Sequence, residues 1–338
     1  MLHWIFFIFK RLVALVVSLW IVSLITFVVT RLIGNPIYLI LGPKYTEEQF
    51  QAAVIRLGLD KPLWQQYYEY LDNLLVGDLG ISRYTSLPVT DELFSRGPAT
   101  MELATFALLL GIAWAVPAGI VAGKNPQRRF AWFADIIARS GVAMPNFWLS
   151  LLLVFIFFAE LQWLPAPLGR IDATFQDLPK ITGWMTIDAL LAGNMLAFFS
   201  ALRHLTMPVF ALAVTTSPSI FQITRARTIE IMASDYIRSA RAFGLSGRTI
   251  QIYVLRNMLA PVLTMITMTY GFLVSGTVLV EVVFTWPGLG LYAVKAMNHS
   301  DYEPVLGVVL FATAFYLIVY MFADIVNAIV DPRARLSS

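Results

Sequence analysis

Few residues of this chain have the types and spacing that chemistry needs. There is no cysteine, which removes a thiolate nucleophile, a thiolate metal site and a disulfide framework. The three histidines, His3, His204 and His299, lie far apart in sequence and show no ligand spacing, so no metal site is expected. No Ser/His/Asp arrangement stands out, and no catalytic residue is assigned. More informative are ionisable residues inside apolar stretches, where a charge pairs or faces a cavity. Asp135 and Arg139 are four apart and can pair on one helix. Asp324 can cap a helix or pair with a loop arginine. Glu281 precedes Trp286, Pro287, Gly288 and Gly290, and is expected to be exposed to any route through the molecule. That tight turn has two readings, plain loop geometry or an outer gate.

The densest group of charges lies between Thr224 and Asn257, where Arg225, Arg227, Arg238, Arg241, Arg248 and Arg256 fall. Ile229, Met232, Tyr236 and Ala240 follow helical spacing and predict one apolar stripe. Gly244 suits a left-handed C-terminal stop, and Ser246 can cap the next helix. Ala240, Ala242 and Gly244 are small enough for a partner surface to approach the backbone. Two short helices at a turn, ringed by arginines, read either as a docking knob or as a basic loop with interfacial helices.

Composition places these groups in a membrane. The 338 residues are 58% hydrophobic and only 13% charged, with mean hydropathy +0.72. Soluble domains carry about 25% charged residues. A net charge of +3 is too small to argue for nucleic acid. Spans of about 20 apolar residues are expected at Ile5 to Ile33, Leu103 to Gly123, Trp132 to Leu161 (with Pro145 inside), Leu205 to Ile223, Met258 to Val283 and Val305 to Val330. The first is too long for a signal-peptide core and lacks a small-residue cleavage site, so it is read as a retained span. Lys10, Arg11, Lys124, Arg128, Arg129, the loop arginines, Arg333 and Arg335 share one side, while most acids face the other. The basic side is the cytoplasmic one, and both termini are expected there.

The resulting division has an N-terminal span (1–33), an outer helical region (34–98), a five-helix core (99–330) and a tail (331–338). The core includes an outer loop (162–203) and the basic loop (224–257). In the outer region, Thr46 and Gln49 make a capping box for a helix that Gly58 ends. Pro62 opens a second helix, lined by Leu63, Tyr67, Tyr70, Leu71 and Leu74 and closed by Gly77. This pair is either a structural lid or a docking surface for an external partner. The outer loop is expected to be irregular, with an interfacial stretch from Trp184 to Leu191.

Tyr236, Ile237, Arg238, Ala240, Arg241, Ala242, Gly244, Leu245 and Ser246, followed by Leu255, Arg256, Asn257, Leu259 and Pro261, resemble the EAA loop of ABC-importer permeases. The variant is that of the dipeptide/oligopeptide/nickel branch. Arg238, Ser239 and Ala240 stand at the triplet, so its acidic residue is absent, and Phe243 replaces the usual lysine. The stretches Leu57 to Leu71, Gly77 to Ser82, Pro98 to Leu103, Met144 to Trp148, Gln162 to Ala166, Val280 to Gly290 and Asp331 to Arg335 resemble the first permease of that branch, in order and spacing. Leu178 to Leu191 leans toward its dipeptide members.

The resemblance implies an all-α, polytopic inner-membrane protein with the six-helix type I permease fold and a small helical periplasmic subdomain. Its partners would be a homologous second permease, two ATPases and an external solute-binding protein. The chain lacks the P-loop pattern G-x-x-x-x-G-K-[ST], so ATP and Mg would be bound by the ATPases and no cofactor by this chain. ATP-driven closure would act on Arg238, Ser239, Ala240, Arg241, Ala242, Gly244, Leu245 and Ser246 to give alternating access. Dipeptides are the leading cargo, ahead of longer oligopeptides, glutathione-like peptides or a nickel chelate. An ion-coupled transporter would want ionisable groups at span centres, and an intramembrane enzyme would want converging catalytic groups.

Overall fold

A computed structural model describes residues 2–33, 46–56, 59–175 and 177–330. The expected stop at Gly58 and the tail 331–338 lie outside them. The described residues form helices α1 (Leu2–Ile33), α2 (Glu47–Arg56), α3 (Leu63–Leu75), α4 (Val89–Lys124), α5 (Arg129–Ala143), α6 (Asn146–Leu153), α7 (Met185–Leu191), α8 (Met195–Ala233), α9 (Asp235–Ala242), α10 (Gly247–Gly276), α11 (Val278–Val283), α12 (Leu289–Asn298) and α13 (Tyr302–Val330). Five of these are long and apolar enough to cross a bilayer: α1, α4, α8, α10 and α13. Helices alone can do so here, because lipid offers the backbone no hydrogen-bond partner.

The third expected span is not one straight helix. Met144 and Pro145 are both extended, and the chain turns through 102° between α5 and α6. The residue before a proline is pushed out of the helical region, and the break falls there. Beyond it, α6 widens into a π-helical turn over Val154–Glu160. The bent pair brings the count to six if it is taken as one span.

Three other boundaries move. The second span begins at Val89, not Leu103, so its first turns belong to the outer region. The fourth begins at Met195, where the Asn194 side chain accepts from the Ala197 amide. The outer loop is therefore partly helical, with α7 folded onto α8. The fifth stops at Gly276, and Val278–Val283 is a separate short helix.

The centre of the bundle is the crossing of α4 and α8. Gly111, Ala115, Gly119 and Gly123 repeat every four residues along α4 and let the backbones approach closely. A Cβ on Gly119 would lie 2.8 Å from the Thr224 Cβ, and one on Gly123 2.5 Å from the Thr228 Cβ. Pro98 and Pro117 in α4, and Pro208 and Pro218 in α8, sit inside these helices without ending them. The outer cap forms as its sequence predicts. Thr46 N–H donates to Gln49 Oε1 at 2.9 Å and Gln49 N–H donates to Thr46 Oγ1 at 3.3 Å. Pro62 precedes α3, and Gly77 follows it at φ +81°.

Candidate functional site

The basic loop is built on a double turn. Helix α8 ends at Ala233, Ser234 is extended, and α9 starts at Asp235. The stripe Ile229, Met232, Tyr236, Ala240 is therefore split between two helices, and Tyr236 is exposed. The buried positions are Ile231, Ile237 and Ala240, of which Ile231 and Ile237 pack with Ile120, Val254, Met258 and Val262. Ala240 thus faces the bundle and is not part of an approachable small-residue surface. Ala242 and Gly244 are.

The end of α9 is a Schellman motif. Leu245 N–H donates to Ala240 O at 3.1 Å, Gly244 N–H donates to Arg241 O at 3.0 Å, and Gly244 has φ +74°. Ser246 Oγ accepts from Thr249 N–H at 3.3 Å and opens α10. The outward face carries Arg238, Ser239, Arg241, Ala242, Gly244 and Ser246, with Leu245 half-buried. At its tip Phe243 is 84% exposed. Arg238 reaches Asp235 at 3.3 Å and Arg227 reaches Glu230 at 2.8 Å.

Beneath the knob, Asp135 joins two elements. It accepts from Arg139 one turn away at 2.9 Å, as expected, and from Arg225 of α8 at 3.3 Å. Asp324 pairs with Arg11 of α1 at 3.0 Å. The expected loop arginine is not its partner, because α1 lies against α13.

At the outer end, Glu281 is fully buried, which corrects its expected exposure. Its Oε1 accepts from Thr100 Oγ1 at 2.7 Å and Thr277 Oγ1 at 2.9 Å. Its Oε2 accepts from Leu291 N–H at 3.0 Å. Thr100 Oγ1 in turn accepts from Leu289 N–H at 2.9 Å. Trp286 is buried and donates to Ala99 O at 2.9 Å. The two glycines are needed for space. A Cβ on Gly288 would sit 2.6 Å from the Glu281 carboxyl carbon, and one on Gly290 2.6 Å from Val278 Cα. Pro287, half-buried, completes the turn.

Sequence reasoning missed a second buried carboxylate here. Glu102 is fully buried and accepts from Thr186 N–H at 2.9 Å and Thr186 Oγ1 at 2.7 Å. It also pairs with Arg170. Arg170 donates to Gly183 O at 2.8 Å and lies over the Trp286 ring. One cluster therefore joins α4, the outer loop and the turn. The available signal was an acid at the start of an apolar run, immediately before Leu103.

Comparison with known proteins matches residues 115–336 to the family of binding-protein-dependent transport system inner membrane components. Residues 4–104 match the N-terminal region of the same membrane components. A di/tripeptide transport system permease of Pseudomonas aeruginosa is 37% identical over 332 residues, covering 97% of this chain and 98% of the relative. A probable D,D-dipeptide transport system permease of Escherichia coli is 38% identical, covering 92% of each. A glutathione transport system permease of Escherichia coli is 30% identical, covering 97% of this chain and 98% of the relative. With a helical bundle of five or six spans and matches along almost its full length, the chain belongs to the inner-membrane permease family of binding-protein-dependent transport systems.

Proposed function

We propose that the chain forms half of a translocation pathway for dipeptides, with a homologous second permease as the other half. The observation that carries this reading is the near full-length similarity to a di/tripeptide permease and a D,D-dipeptide permease. Two ATPases dock from the cytoplasm and bind ATP and Mg, and an external binding protein delivers the peptide. The chain itself is not catalytic and binds no cofactor. Both termini are cytoplasmic, following the distribution of Lys and Arg.

The outward face of α9 and the turn through Ser246 take the ATPase contact. The physical support is their asymmetry. Ile237 fixes the helix to α4, α8 and α10, while Arg238, Ala242, Phe243 and Gly244 are exposed on the other side. A rigid inner face and an open outer face suit an element that passes force to the spans. Arg225 and Asp135 tie its parent helix α8 to α5, so displacement of α9 also reaches the bent pair. Coupling requires a two-state element that both sites bias, and the α5/α6 break is the candidate hinge.

The test is reconstitution of this chain with its second permease and ATPases in proteoliposomes. Labelled dipeptide should accumulate only with ATP and the binding protein. Uptake by this chain alone, collapsed by a protonophore and indifferent to ATP, overturns the reading. Glutathione is the second cargo to compete, given the 30% identical relative.

A further inference from the structure

Helix α3 has a wider apolar face than the other described residues cover. Around its axis, Tyr67, Tyr70 and Leu74 form one sector, turned toward α1. Ser23 Oγ of α1 meets Tyr67 Oη at 3.0 Å, and Phe27 lies 5.2 Å from the Tyr67 ring and 5.8 Å from the Tyr70 ring. Trp64, Tyr68, Leu71 and Leu75 follow at i, i+4, i+7 and i+11 and form the adjacent sector. Trp64 is 74% exposed, Tyr68 68% and Leu75 85%. Gln65, Glu69, Asp72 and Asn73 occupy the opposite side. The polar side is thus complete, while half of the apolar face is left exposed by the described residues.

The depth of α3 says what covers that half. Its contacts on α1 are Ser23 and Phe27, inside the apolar span Ile8–Val29. At 1.5 Å per residue, Ser23 lies about 9 Å and Phe27 about 3 Å below the outer end of that span. Helix α3 is therefore level with the outer boundary of the hydrocarbon. On α1 itself Trp20, Ile25 and Val28 are exposed as well, as expected of a span set in lipid. Tryptophan and tyrosine are the side chains favoured at that boundary.

We infer that α3 is an interfacial anchor, lying in the plane of the outer leaflet with Trp64, Tyr68 and Leu75 in the headgroup–acyl boundary and Asp72 in water. Its occupant is the lipid surface, as for other helices with one apolar and one charged face. This resolves the outer cap toward a membrane-seated brace on α1. The inference is independent of the cargo and of ATPase coupling.

The absence of cysteine makes the test direct. Single Trp64→Cys, Tyr68→Cys, Leu75→Cys and Asp72→Cys variants of the full transporter complex are labelled with an environment-sensitive fluorophore. The complex is placed in phosphatidylethanolamine/phosphatidylglycerol nanodiscs. Two quenchers are compared: lipids brominated near the carbonyl end of the acyl chain, and aqueous iodide. Labels at 64, 68 and 75 should lose emission to brominated lipid and resist iodide, and the label at 72 should do the reverse. Loss to iodide at 64, 68 and 75 overturns the inference, because the helix then stands in water. Resistance to both quenchers at those positions also overturns it, because protein then covers the face. Were iodide resistance to arise only on adding the binding protein, the face would be a docking surface and the inference would fail.

Discussion

The two ends of the molecule handle charge in opposite ways. At the outer end, Glu102 and Glu281 are fully buried, and each carboxylate oxygen that is described has at least one donor or cation. At the end that carries the basic loop, the side chains of Arg238 and Asp235 are 79% and 92% exposed, and their contact is one solvent-facing pair. Buried charges must be satisfied within the fold. Exposed ones cost little and are available to a partner. The outer cluster is thus finished by the chain itself, whereas the knob leaves its charges open to solvent. Damage at the first should appear as lost stability, and damage at the second as lost coupling.

The sharpest test of the outer end is Glu102→Ala. It leaves the largely buried Arg170 guanidinium without its carboxylate, and breaking one side of a buried pair costs about 3–5 kcal/mol. Yield and thermal midpoint of the complex should both fall. The double variant Glu102→Leu with Arg170→Met should recover much of the loss, since no orphan charge remains. Were Glu102→Ala harmless, the outer cluster would not be the closed unit described. Glu281→Ala comes next. It strips the acceptor from Thr100, Thr277 and Leu291 N–H, at about 1–3 kcal/mol for an unmet buried group. Glu281→Gln keeps one accepting oxygen and should lower the midpoint less than Glu281→Ala.

This contrast was only half legible in the sequence. The local features of the knob are legible, because Gly244 and Ser246 act on their own backbone neighbourhood. The left-handed φ and the cap follow from residue type. Its apolar stripe was misread, because periodicity carried across Ser234 assumes a helix that the structure breaks. The outer cluster was misjudged because its bonds join positions 102, 170, 186 and 281, far apart in sequence. Nothing local distinguishes a Glu281 that accepts from Thr100 from one that faces a pathway. Five of the six expected spans are legible from apolar length, but the 102° break at Pro145 that splits the remaining one is not. A proline in a membrane helix can be tolerated or can end it, and α8 carries two without breaking.

At the knob the expected stability change is small and the functional change large. Phe243→Ala removes a ring that is 84% exposed, so stability should stay within about 0.5 kcal/mol. If Phe243 is part of the ATPase contact, peptide-stimulated ATP hydrolysis should drop while assembly in detergent persists. Gly244→Ala separates backbone strain from contact. No atom lies within 4 Å of the added Cβ, but φ is +74°, and that conformation costs about 1–2 kcal/mol outside glycine. A modest loss of coupling should follow. Unchanged ATPase stimulation in both variants would remove the turn from the coupling surface.

The smallest effect concerns pH, and it again separates a carboxylate the fold encloses from one left in water. Asp188 is 2% exposed. It accepts from Thr182 N–H and Thr182 Oγ1, each at 2.7 Å, and from Gly183 N–H at 3.0 Å. Burial pushes its carboxyl up, but these hydrogen bonds outweigh burial and hold it below the usual carboxylate range. A depressed folded value means that the charged form is the stabilising one. The contribution is complete above the unfolded value of about 3.9, and is lost as pH falls through the lower folded value. Asp188→Asn should therefore lower the thermal midpoint slightly at neutral pH, with the gap to the parent chain constant down to about pH 4 and closing below it. Asp235→Asn, at a side chain 92% exposed, should leave the midpoint unchanged across the same range. A gap at Asp188 that widened on acidification would mean that the protonated acid, and not the carboxylate, holds the outer loop.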